Sequence, residues 1–169
     1  MTICAVELVD LVLAVHILAA VIGFGATFAY PIFLGAGARL DPAAMPWFFA
    51  IMQLIARRLI YPGLIVVLVA GIYLAGKEDQ FHAFYTQWGI FAVLVLGGIE
   101  GAVMAPRVRR LIELSGRELA GAPGSGGGTT TFSYSDEYRR VLNQVTIGGA
   151  LQSLIVVVTV FLMATHAGA

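Results

Sequence analysis

At 169 residues, 59% hydrophobic and only 12% charged, with a mean hydropathy of +0.89, the chain is too apolar for a soluble domain, in which about a quarter of the residues are charged. A formal net charge of zero, with no basic patch interleaved with aromatics, excludes a nucleic-acid footprint. The lone Cys4 excludes an intrachain disulfide.

Roughly 30 Å of hydrocarbon takes about 20 helical residues at about 1.5 Å each, and four stretches meet that need. The first covers about 9–34. Glu7 and Asp10 precede it in place of Lys or Arg, and it is too long for a signal peptide's apolar region, so it reads as a retained span. Within "VHILAAVIGFGATFAYPIF", His16 shares a helical face with Ala19, Ala20, Gly23, Thr27 and Tyr30, while Val15, Leu18, Ile22 and Phe28 point elsewhere. Small residues let membrane helices approach and polar groups avoid lipid, so this face is expected to turn into a bundle.

Next comes "DPAAMPWFFAIMQLIARR", with Asp41 as N-cap and Pro42 at the first helical position. Its charge-free run is too short to cross, so 42–56 is expected to be a helix along the cytoplasmic interface or a lead into span two. Span two is placed at about 59–76 and span three at about 85–105. On span three, His82, Gly89, Val93, Gly97, Glu100, Met104 and Arg107 form one stripe, and Gly97 to Gly101 has GxxxG spacing. The stretch "GAPGSGGGTTTFSYSDEYRR" lacks the lysine of a phosphate-binding loop and reads as a flexible cytoplasmic linker over 121–135. It ends in a helix start at Ser135. Span four, about 144–165, aligns Gln144, Gly148, Gln152, Thr159, Met163 and His166.

The segment between spans one and two holds Arg39, Arg57 and Arg58, and that between spans three and four holds Arg107, Arg109, Arg110, Arg117, Arg139 and Arg140. Only Lys77 lies on the other side. The positive-inside rule makes both arginine-bearing segments cytoplasmic and both termini external. The expected fold is therefore all-α and integral to the membrane: an antiparallel four-transmembrane-helix bundle forming a single domain over 1–169.

Candidate functional residues lie on the inward faces. His16 reads in two ways, as a hydrogen bonder to a neighbouring helix or as a haem or metal ligand, since bundle cores hold cofactors and imidazole suits Fe, Cu and Zn. A partner ligand would come from His166, or from Met163 one turn deeper. His82 and His166 are interfacial polar residues on one reading and outer-face metal ligands, with His16, on the other. Glu100 is costly within a span unless paired, neutral or hydrated. Its structural partner would be Arg107, about 10 Å along the same face; its functional reading is a proton-relay or ion site, with Gln144 and Gln152 as further polar residues at membrane depth.

"VHILAAVIGFGATFAYPIF" followed by "IARRLIYPGLIVVLVAGIYLAG" resembles the opening of small bacterial membrane proteins around the copper-resistance protein D family and the HemJ-type protoporphyrinogen oxidases. More closely it resembles an uncharacterised bacterial family of four-span membrane proteins, with His16, Gly25, Pro31, Arg57, Arg58, Pro62 and Gly71 in matching places. The resemblance implies haem b or copper held by the first-span histidine, in the cell membrane of a bacterium. HemJ-type proteins carry a lysine near the start of span three, where this chain has Gln87, Trp88 and Gly89, and the Pro-Arg of the first span is here Pro31-Ile32. No catalytic residue carries over, and enzymatic activity stays open. Two functions stand as expectations: a haem- or metal-binding redox membrane protein using His16, or a non-enzymatic transport or accessory subunit. A homo-oligomer or a membrane-complex partner fits either.

Overall fold

The computed structural model describes residues 7–37, 42–121 and 133–166. Residues 122–132 of the expected linker lie outside the described residues, as do Cys4, Arg39 and Asp41. Among the described residues the chain forms four long helices and no strand: α1 (Leu8–Gly37), α2 (Met45–Lys77), α3 (Phe84–Ala120) and α4 (Asp136–Thr165). All four contain stretches long and apolar enough to cross a membrane. Helices adjacent in sequence pack against each other, and α1 closes the ring against α4. The result is an all-α four-helix membrane bundle.

The segment 42–56 is a lead into span two and not a separate helix. A 3₁₀ turn at Pro42–Ala44 opens it, and Met45–Ile55 runs through Ala56–Ile60 into Tyr61–Lys77 without a break. Arg57 and Arg58 lower the hydropathy there, but Ala, Arg and Leu are good helix formers, so charge interrupts the apolar run and not the helix. The same holds in α3, which continues from its apolar half through "RVRRLIELSGRELA". At about 1.5 Å per residue, the 33 residues of α2 and 37 of α3 reach about 50 and 55 Å, well beyond the hydrocarbon thickness.

At this arginine-rich end the projecting helices enclose a core of their own. Phe49 of α2 is fully buried with Met45 and Met52, against Leu111 and Leu114 of α3 and Tyr138 of α4. The Phe49 and Tyr138 rings meet edge-on at 6.2 Å. The start of α4 is fixed by the expected cap: the Ser135 hydroxyl accepts from the Tyr138 amide at 3.2 Å. Glu118, near the end of α3, accepts from the Ser135 amide at 2.8 Å, and Arg110 donates to Glu137 at 2.7 Å, so α3 and α4 are tied together where the chain passes between them.

Within the spans, α1 buries Gly23, Thr27 and Tyr30 and leaves Val15, Leu18, Ile22 and Phe28 exposed, as its periodicity requires. Its closest approach to α2 is at Gly23 and Gly63, where a Cβ added to Gly63 would stand 2.9 Å from the Cα of Gly23. The Gly97–Gly101 pair makes no such contact: nothing approaches a Cβ position at Gly101, and only Leu64 comes near Gly97. Helix α4 meets α3 by side chains inserted over glycines, Met163 over Gly89 and Met104 over Gly148.

Two short π-helical stretches interrupt the ladders, Ala56–Ile60 in α2 and Ile99–Met104 in α3. Each is followed within two residues by a proline, Pro62 or Pro106. A proline in a helix interior has no N–H to donate and its ring crowds the carbonyl four residues back. A widened turn just before it relieves that crowding, and such single π turns cluster at functional sites.

Candidate functional site

Both π stretches border one cavity of about 50 Å³ between α1, α2, α3 and α4. Ala56 and Arg57 come from the first stretch, Glu100 and Met104 from the second, and Tyr30, Gln53, Tyr61 and Arg109 supply its remaining polar lining. The Tyr30 hydroxyl donates to the Met52 carbonyl at 3.3 Å. Gln53 holds a buried amide nitrogen with no partner among the described residues.

Glu100 is the acid of this cavity, only 5% exposed. Gln152 of α4, itself buried, donates its amide nitrogen to a carboxylate oxygen at 3.2 Å, and its buried amide oxygen has no partner among the described residues. The expected pair of Glu100 with Arg107 is not formed. Arg107 instead donates through Nε to Gln144 at 3.0 Å and through Nη1 to the Val103 carbonyl at 2.8 Å. The π stretch explains the change. Each residue turns a helix by about 100°, and a widened turn between positions 100 and 107 shifts their relative phase, so the face that a regular helix would share is split. The four polar residues are thus brought together as two bridges between α3 and α4, Glu100 with Gln152 and Arg107 with Gln144.

The histidines are dispersed. His16 is half-buried against Gly71 of α2, 3.1 Å from where a Cβ would stand, and its buried Nδ1 has no partner in hydrogen-bond geometry among the described residues. His166 caps α4 in a left-handed conformation and meets the Tyr85 ring edge-on at 5.4 Å. Met163 sits over Gly89 and His82 is exposed. The contacts of His166 and Met163 fall on Tyr85 and Gly89 of α3, and the described residues hold no group of three His, Cys, Asp or Glu placed for a metal ion.

Gln53 and Tyr61 escaped the sequence reading, and Tyr30, Arg57 and Arg109 were named there without being linked to Glu100. Pro62 and Pro106 were the available signal, since each marks a place where a span must loosen its backbone.

A model of the family described as predicted integral membrane protein (DUF2269) matches residues 10–167. No curated protein and no solved structure matches the chain. The uncharacterised membrane family thus has support, whereas the resemblance to copper-resistance protein D and HemJ-type proteins finds none.

Proposed function

The chain belongs to this family of predicted integral membrane proteins, and from that premise we propose that it is a non-enzymatic transport or accessory subunit in which Glu100 takes up and releases a proton. The observation that carries this reading is a buried carboxylate on a small polar cavity, hydrogen-bonded to a neutral amide, with no cation in ion-pair contact among the described residues. A carboxylate fixed in the ionised state at such a depth costs several kcal/mol without a paired charge or water. Gln152 suits both protonation states. Its amide nitrogen donates to the carboxylate, and a half-turn of the amide presents its unpartnered oxygen to a carboxylic O–H. The cavity is large enough for a water to connect Glu100 with Gln53 and Tyr30.

Glu100→Gln keeps the shape and the hydrogen bond while removing the proton site. Infrared difference spectra of the purified protein should show a carboxylic C=O band that comes and goes with pH and vanishes in Glu100→Gln. Acid-driven proton entry into vesicles carrying the wild-type protein should exceed that of protein-free vesicles and fall to it in Glu100→Gln. Equal proton entry through both proteins would overturn the reading.

In this proposal the protein lies in a bacterial cell membrane with the arginine-rich end cytoplasmic and both termini outside, following the arginine distribution. With Cys4 replaced, a cysteine at Gln80 should react with an impermeant thiol reagent in intact cells, and one at Arg117 only after lysis. The reverse pattern would invert the orientation.

A second reading keeps His16 as a haem or copper ligand, favoured by its buried, unpartnered Nδ1. Its second ligand would come from outside the described cluster. A Soret band or bound copper lost in His16→Ala, in protein grown with both supplied, decides it.

A further inference from the structure

We propose that Arg57 and Arg109 form a headgroup clamp that binds the phosphate of an anionic phospholipid across the mouth of the Glu100 cavity. Both arginines line that cavity, one from α2 and one from α3, and both side chains are exposed. Tyr61 lines it too, with its hydroxyl in the field of both guanidiniums and of Glu100. Arg107, Arg110 and Arg139 each donate to an acceptor, whereas neither Arg57 nor Arg109 has a hydrogen-bond or acidic partner among the described residues. Two guanidiniums without partners among the described residues, lining one cavity from separate helices together with a tyrosine hydroxyl, offer donors that match the oxygens of a phosphate.

Height along the bundle selects a lipid as the source. Arg57 stands 20 residues from Lys77, about 30 Å of helix and so about one hydrocarbon thickness from the opposite end of α2. That places the pair at headgroup level, where basic pockets between spans recognise anionic lipids. A cavity of about 50 Å³ is too small to swallow a headgroup, and the Glu100 acid at its floor disfavours phosphate entry, so the phosphate rests at the mouth with its acyl chains along the exposed apolar sides of the spans. The inference shares the cavity with the proposed proton site but does not require Glu100 to titrate.

The test uses the full-length protein in neutral detergent, titrated with short-chain phosphatidylglycerol or phosphatidylcholine and followed by native mass spectrometry. Wild type should prefer phosphatidylglycerol. Each of Arg57→Gln and Arg109→Gln should weaken that binding about fivefold and the double variant about 25-fold, the fold-change expected per arginine near an anionic headgroup. The single variants keep the test open should the double variant not fold. Arg139→Gln with Arg140→Gln, a basic pair away from the cavity, should leave the preference unchanged. Equal binding of the two lipids, or a preference that survives in the folded arginine variants, overturns the clamp. Displacement of the lipid by millimolar inorganic phosphate overturns the lipid as its occupant.

Discussion

Phe49→Ala should destabilise the protein by about 3–5 kcal/mol, the usual cost of emptying a fully buried phenylalanine site. Phe49 has 0% exposure. It stands 28 residues from Lys77, about 42 Å along α2 and so beyond the hydrocarbon if Lys77 marks the opposite boundary. With that end in water, the hydrophobic effect acts on this core as it does in a soluble protein, which it does not do between spans in lipid. The cavity left by the ring would open between Leu111, Leu114 and Tyr138, whose positions are held by α3 and α4 and cannot collapse onto it freely. Trp47, 70% exposed two residues earlier, is the control, and its alanine variant should stay within about 0.5 kcal/mol of wild type. Denaturant melts in detergent monitored by α-helical circular dichroism read both. Equal effects at the two positions would show that the projecting helices form no core.

Gly63→Val should cost about 3 kcal/mol or more, because the clash it introduces is with backbone. A Cβ at Gly63 would lie 2.9 Å from the Gly23 Cα, 3.4 Å from the Ala19 carbonyl oxygen and 3.5 Å from the Gly23 nitrogen. No rotamer change relieves such contacts; α1 and α2 must separate, and the dispersion contacts along their seam go with them. His16 against Gly71 and the Tyr30 hydroxyl on Met52 lie on that same seam, so Gly63→Val should also loosen the wall of the cavity. Gly25→Ala is the control: nothing lies within 4 Å of its Cβ position, and alanine there should be neutral or slightly stabilising. Thermal melts in detergent separate the two, and comparable melting temperatures would mean that α1 and α2 are not in close contact at Gly23.

The cavity was legible in part. Glu100 was singled out by its cost at membrane depth, and Gln152 and Gln144 by their position on the inward stripe of α4. What each would bond to was not legible. A regular helix puts Arg107 on the face of Glu100, and only the π stretch at Ile99–Met104 turns it toward Gln144 and leaves Glu100 to Gln152. The surroundings of the histidines were not legible for a related reason. Height along a helix places His16 and Met163 in the same half of the bundle, but α1 presents His16 to Gly71 of α2 while Met163 is taken up by Gly89 of α3.

By itself the sequence determined the membrane class, the four spans, the inward face of α1 and the Ser135 cap, because hydropathy, periodicity and capping are properties of single segments. The tertiary structure alone decided where the helices continue past the apolar runs, how Pro62 and Pro106 are absorbed by π turns, and which polar groups of α3 and α4 pair. Those depend on the rotation and register of one helix against another. Contacts as local as Gly23 on Gly63 and Met104 over Gly148 set both, and no single helix carries that information in its own pattern.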